Sequence, residues 1–254
     1  MTGSRVWAER AAYVLSPLVL LALWQIAADL GAIDVRFFPP PSKIGATMME
    51  LAANGQIATH VSISLLRIAV GYVVGAVPAV LIGLVMGLAP AVRAVLQPIV
   101  DTTFPIPKIA ILPLLILLVG IGEASKYLII AISVFYLVLI NTVAGVRNID
   151  KIYIDVAKSY GASNTMWLFD VALPAALPTI MAGLKVGMGI ALLVIVSAEF
   201  VGARSGIGYL IWSSWQIFEV SVMYVGLLLT AIIGMFLALA MEMLERVLIP
   251  WKPR

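Results

Sequence analysis

Tyr160-Gly-Ala-Ser-Asn-Thr-Met-Trp-Leu-Phe-Asp-Val-Ala-Leu-Pro174 is a half-polar stretch, bounded by glycine and proline, between two long apolar runs. Upstream, Tyr127 to Val146 carries no charge; downstream, Ala175 to Ala198 carries only Lys185. Runs of about 20 apolar residues suffice, as helix, to cross roughly 30 Å of hydrocarbon. The stretch is therefore read as a place where the chain leaves a membrane, folds briefly in water and turns back. That reading sets the fold class: all-α and polytopic.

Working outward, Ala11 to Ala28, Ile68 to Ala89 and Val220 to Met241 are also free of charge, and Leu96 to Gly122 contains only Asp101, Lys108 and no other charged residue. Six spans in one domain, 1–254, are expected. A chain that is 63% hydrophobic and 11% charged excludes a soluble domain with a large core. Arg5 and Arg10 precede the first run, but that run exceeds the ~7–15 residues of a signal-peptide core, so a retained span is expected.

The net charge of +3 is not gathered into a basic face, which argues against nucleic acid. It follows topology instead. With the N-terminus inside, the inner segments hold nine cations (Arg5, Arg10, Arg93, Arg147, Lys151, Lys158, Arg246, Lys252, Arg254) and the outer segments four (Arg36, Lys43, Lys126, Arg204). The positive-inside bias places both termini in the cytoplasm. The absence of cysteine excludes disulfides and thiolate metal sites.

Punctuation between and within the spans is informative. After Phe37-Phe-Pro-Pro-Pro-Ser42, Ser42 is expected to cap a short amphipathic helix that ends at Asn54-Gly55. Gly71, Gly75, Gly83 and Gly87 lie at multiples of four and predict close approach of another helix, with one of the chain's own helices the first choice. Pro98, Pro105, Pro107 and Pro113 crowd the third span. Broken backbone at membrane depth is tolerated where it is buried in protein or lines a watery cavity, so Thr103 to Pro107 is read as a discontinuity beside a pathway. Past Glu199 a Gly-rich turn leads into an apolar run of only about ten residues, Tyr209 to Phe218, too short to span. It is expected as a re-entrant or surface helix, about 204–219, over the outer mouth.

In the opening stretch, Ile152, Val156 and Tyr160 share one helical face, which predicts two amphipathic turns. Gly161 suits the left-handed residue that closes a helix, and Ser163 suits the cap of the next. Leu173-Pro174 is expected to end that second helix, because the residue before a proline is pushed out of the helical region. Tyr160, Met166, Trp167 and Phe169 should project from this knob as a docking surface. The coupling segment is placed at about 148–174.

These residues carry a resemblance. Asp155-Val156-Ala157, three residues, Gly161, nine residues, Val171, one residue and Leu173-Pro174 resemble the EAA loop of permease subunits of type I binding-protein-dependent ABC importers. The spacing is intact, with Asp for Glu, Val for the first Ala and Val for Ile. Ser64-Leu-Leu-Arg67, Pro107-Lys-Ile-Ala-Ile-Leu-Pro113, Gly120-Ile-Gly-Glu123, Leu173-Pro-Ala-Ala-Leu-Pro178 and Glu199 through Gly206-Ile-Gly208 extend it over nearly the whole chain, toward the nitrate, sulfonate and taurine branch.

The resemblance implies a bacterial inner-membrane permease, working as a homodimer with two cytoplasmic ATPase subunits and a periplasmic or lipid-anchored binding protein. Asp155, Ala157, Tyr160, Gly161, Ala162, Met166, Trp167, Leu173 and Pro174 would then couple to the ATPase, whose closure drives alternating access. ATP and Mg would be bound by that partner. The chain has no Gly-Lys pair, hence no P-loop of its own, and its single histidine, His60, excludes a two-His metal motif. No cofactor, metal or catalytic residue is expected on this chain, and its contacts are with partners, a second copy and lipid.

Three cations fall inside spans: Arg67, Lys108 and Lys185. A mid-bilayer cation costs about 2.5–3.5 kcal/mol on insertion scales, so each needs a cavity, a counter-ion or a route to the surface. Arg67 lies near enough to the outer end to snorkel, and Lys185 to snorkel or pair. Lys108, after Pro105-Ile-Pro107, reaches neither water surface easily and is the candidate pathway cation, ahead of a structural pair and of snorkelling; Asp101 is two turns away, about 10.5 Å, too far for direct pairing without help from the break. The pathway set is thus Lys108, Pro105, Pro107, Arg67 and Glu199, the last a gate or a tie for the outer loop. A small anion such as a sulfonate, taurine, nitrate or an organic acid is the expected solute. A neutral or cationic vitamin precursor, or an ATP-independent secondary transporter, are the alternatives.

Overall fold

The computed structural model describes residues 3–251, without the side chains of residues 3–14, Lys158 and Asn164. The topological expectations for the side chains of Arg5, Arg10, Lys158, Lys252 and Arg254 lie outside the described residues. Every regular element described is helical: α1 (Gly3–Asp29), α2 (Pro41–Ala53), α3 (Gln56–Leu88), α4 (Pro90–Thr103), α5 (Leu112–Val119), α6 (Glu123–Arg147), α7 (Lys151–Ser159), α8 (Asn164–Met166), α9 (Leu173–Glu199), α10 (Ile207–Gln216) and α11 (Val220–Leu248).

Helix α6 is the centre. Its Ile129, Ile130, Val134, Val138 and Leu139 are buried between α3 on one side and α9 on the other, and α11 closes the layer against α9 and α10. The glycine ladder makes the α3–α6 contact possible. A β-carbon at Gly75 would stand 2.3 Å from the Ala131 carbonyl oxygen, and those at Gly71, Gly83 and Gly87 would strike Ile130, Thr142 and Val146. The ladder therefore packs against a helix of its own chain, as expected. Leucines and valines elsewhere on α1, α3, α9 and α11 point outward, as lipid-facing side chains must.

Among the described residues, four continuous helices are long and apolar enough to cross a membrane: Gln56–Leu88, Glu123–Arg147, Trp167–Glu199 and Val220–Leu248. The pair Pro90–Thr103 and Lys108–Val119 makes a fifth if counted as one span, bent by 87° at the break. The described residues thus hold four or five of the six expected spans. Of α1 (Gly3–Asp29), the apolar part described with side chains is Leu15–Asp29, 15 residues or about 22 Å of helix, and the rest of that expected span lies outside the residues described with side chains.

The proline-rich third span breaks where expected. Pro105 and Pro107 interrupt the ladder after Thr103, and the chain resumes as a tight 3-10 turn, Lys108–Ile111, leading into α5. Helix α2 differs from its reading. Pro40 precedes it and Pro41 occupies its first turn, so Ser42 lies inside and caps nothing; its N–H instead donates to the Gln25 side-chain oxygen at 3.0 Å. The short run after Glu199 forms α10, a non-spanning helix laid over the ends of α3, α9 and α11.

Candidate functional site

At one end of the bundle the chain makes an elbow. Helix α7 closes at Gly161, which has φ 67°, the conformation that excludes most side chains. The Ala162 N–H reaches back to the Ala157 carbonyl at 3.0 Å, the six-to-one bond of a Schellman stop. Ser163 then caps the next helix, its hydroxyl accepting the Met166 N–H at 3.2 Å.

Leu173-Pro174 does not end that helix. From Asn164 the chain runs through a π-helical turn, Trp167–Ala172, straight into α9. The Leu173 N–H donates to the Leu168 carbonyl five residues back. This wider turn shifts the carbonyl that the Pro174 ring would otherwise strike, so proline sits at the start of α9 instead of stopping the helix. A second correction concerns Trp167. It does not project but packs against a buried cluster of Val146, Ile149, Ala172, Ala176 and Ile180, pinning the elbow to the ends of α6 and α9.

What remains outside is apolar. Tyr160 is 87% exposed, and Ile152, Tyr153, Val156, Met166 and Phe169 are all exposed. The face of α7 made by Ile152, Val156 and Tyr160 thus points away from the chain, while Ala157 is buried beneath it. Asp155 is exposed on the same helix, Leu173 and Pro174 are half-buried at the base, and Ala162 is half-buried in the turn.

The second place is the break. The Lys108 ammonium donates to the carbonyls of Thr103, Phe104 and Ile106 at 2.9, 2.9 and 3.0 Å. It also lies 4.1 Å from the Tyr136 ring centroid. The broken backbone leaves those carbonyls without helical donors, and a cation at the carboxyl end of α4 also suits the helix dipole. Asp101 is no partner; its carboxylate takes the Gln97 amide at 2.8 Å. Cavities of about 430 and 350 Å³ open on either side of Lys108 and Tyr136. Pro105 and Pro107 are exposed at the bend.

The third place lies at the far end of α9. Arg67 is 2% exposed, so it does not snorkel. Its guanidinium grips Glu123 through two bonds of 2.7 and 2.6 Å, and donates to Glu199 at 2.8 Å and to the Ser205 carbonyl at 2.7 Å. Glu199, 1% exposed, accepts further from Ser64 and from the Gly208 N–H at 2.8 Å. The Ile207 N–H donates to Ser64 and the Gly206 N–H to His60 Nδ1, at 2.9 and 3.1 Å. The start of α10 is thus held by a carboxylate from the end of α9.

Glu123 and Ser64 are not among the site residues read from sequence, although three of the motifs that carry the resemblance, Ser64 to Arg67, Gly120 to Glu123 and Glu199 to Gly208, converge here. Lys185 pairs with Glu245, as one of its two expected fates. Beside the tie, α2 and α10 enclose a cavity of about 930 Å³ whose lining includes Arg36, Lys43, Glu50, His60, Tyr209 and Glu219. At its edge Arg36 hydrogen-bonds Asp34 and lowers that carboxyl to about 2.

Residues 79–252 match the family model described as a binding-protein-dependent transport system inner membrane component. The chain is 35% identical to the taurine transport system permease protein TauC of Escherichia coli K12, over 92% of this chain and 86% of that protein. It is 34% identical to an aliphatic sulfonates transport permease protein, SsuC, of Bacillus subtilis 168, covering 94% and 87% of the two, and 32% identical to SsuC of Escherichia coli K12, covering 99% and 96%. A solved structure of the MetNI methionine ABC transporter in an inward-facing conformation aligns with a TM-score of 0.63 at 19% identity, over 80% of this chain and 98% of that one, and shares the fold. The chain therefore belongs to the binding-protein-dependent transport system inner membrane components, the permease subunits of ABC importers: a transport subunit and not an enzyme.

Proposed function

We propose that this permease carries a small anion inward, a sulfonate such as taurine in the first instance, with energy from a separate ATPase that grips the elbow. The observation that carries the ATPase half is the apolar face of Ile152, Val156 and Tyr160, which stands exposed among the described residues. The Schellman turn and the half-buried Trp167 make this elbow stiff, and α9 continues from it without interruption. A push on the elbow would thus reach the far end of the span. Asp155, Ala157, Gly161, Ala162, Met166, Leu173 and Pro174 shape that handle.

The elbow would face the cytoplasm, and the tie and the large cavity beside it the outer side, where a binding protein delivers solute. Both termini would be cytoplasmic. The broken span is exposed along the chain's flank, so a second copy would supply the opposite wall of the pathway, with two ATPase subunits below. Arg67 and Glu199 serve this pathway by fixing α10 at its mouth. The relatives named for taurine and aliphatic sulfonates, together with the cation at the break, support an anionic solute.

Uptake into vesicles holding the assembled complex tests this. Lys108→Met should lower the rate about tenfold or more while ATPase association and basal hydrolysis persist, and Lys108→Arg should keep partial activity because the charge remains. Assembly at wild-type level with wild-type uptake for Lys108→Met would remove the anion reading and favour a neutral solute.

A further inference from the structure

The cavity beside the break has an unusual property: its polar side chains have all donated their protons inward. Lys108 spends its three donors on the carbonyls of Thr103, Phe104 and Ile106. Ser133 donates to the Ile129 carbonyl at 2.7 Å and Ser197 to the Leu193 carbonyl at 3.0 Å. Tyr136 donates to the Thr103 hydroxyl at 2.9 Å, and Thr103 donates onward to Ile99 at 2.6 Å. Lys108, Ser133, Tyr136 and Ser197 are the polar residues lining the smaller cavity; Lys108, Thr103 and Tyr136 are those lining its neighbour. A hydroxyl whose proton is spent presents only lone pairs, and an ammonium with three carbonyl partners has no N–H left.

We infer that Lys108 acts on the solute at a distance, as a clasp and a fixed potential, and forms no hydrogen bond to it. This rests on the pathway reading above and specifies how the cation works. The charge is not cancelled by a carboxylate, since Asp101 is held by Gln97, so it still draws an anion into the cavity. Because no side-chain donor lines the walls, the anion finds attraction without a grip. Passage requires that entry be favourable and release easy, and a permease fed by a binding protein has no need to select again. Lys108 is in this sense a positioning residue: it holds the carbonyls of the break together and sets the field.

The test uses a sulfonate as probe. In this cysteine-free chain, Ser197→Cys is placed in the assembled permease–ATPase complex and its modification rate measured with anionic sulfonatoethyl methanethiosulfonate and with cationic trimethylammonioethyl methanethiosulfonate. The anionic reagent should react about tenfold faster. That preference should vanish with Lys108→Gln, survive with Lys108→Arg, and be unaffected by excess ethanesulfonate. Protection by ethanesulfonate that disappears with Lys108→Gln would show a direct bond and overturn the inference. A preference unchanged by Lys108→Gln would overturn it too, since the field would then come from elsewhere. Failure of both reagents to react marks a dry cavity, and sinks the pathway reading itself. Should Lys108→Gln not assemble, the ethanesulfonate arm on the wild-type lysine decides alone, protection counting against the inference and its absence for it.

Discussion

The two ends of α9 are built on opposite plans. At the far end the buried charges Arg67 and Glu199 have partners inside the chain: Arg67 donates to Glu123 and Glu199, and Glu199 accepts from Ser64 and the start of α10. At the elbow, large apolar side chains stand in the open, with Tyr160 the most exposed of them. A buried ion cluster satisfied within one chain has nothing left for a partner, whereas an uncovered apolar face on a stiff turn is incomplete alone. One end fixes the chain's own shape; the other is the proposed seat of a partner. The span between them is a single helix, so the two ends move together.

Substitutions at the two ends should therefore fail in different ways. The largest effect is expected at the tie. Glu199→Ala leaves the buried Arg67 guanidinium short of one partner and unties α10, and breaking a buried pair from one side costs about 3–5 kcal/mol. Lower thermal stability of the purified subunit and reduced membrane accumulation should follow. Wild-type stability would mean that Glu123 and the Ser205 carbonyl together satisfy Arg67 and that the two ends differ less than described.

Gly161→Val comes next. A β-branched residue in the left-handed region costs about 1–2 kcal/mol or more, and nothing lies within 4 Å of the site to clash, so the strain is purely of the backbone. The subunit should insert and keep its far end intact, yet lose ATPase association and transport. Retention of both would sever the elbow's shape from its use. Ser163→Ala is the smallest. Loss of one helix cap costs about 1 kcal/mol, read as a modest fall in ATPase affinity with unchanged membrane insertion. A fall as large as that of Gly161→Val would mean that the cap, and not the left-handed turn, sets the elbow.

What sequence conveyed and what it hid follow from the range of the forces involved. The elbow, the glycine ladder and the break were legible because glycine, proline and capping residues act on their neighbours within a turn. The tie was not, because the partners of Arg67 on α3 come from α6, α9 and the loop before α10, 56 to 138 residues away. No periodicity reports such a meeting, and Arg67 consequently read as a residue reaching for water. Pro174 misled for a different reason: a proline's effect depends on the turn before it, and a π turn removes the clash. Trp167 misled because aromatic side chains suit a docking surface and a core seam equally. Lys108 was placed correctly at the break, but its partners are carbonyls and the Tyr136 ring, not the carboxylate seven residues away.

The proposed seat of the ATPase is the exposed face formed by Ile152 and Val156 of α7 with Tyr160 at its end. The direct measurement is retention of the ATPase subunit by the purified permease carrying Tyr160→Asp, with thermal stability of the permease read on the same sample. A charge placed at so exposed a position should leave stability at the wild-type value while ATPase retention falls about tenfold or more, as loss of an interface anchor does. Full retention of the ATPase by a stable Tyr160→Asp subunit would contradict the claim.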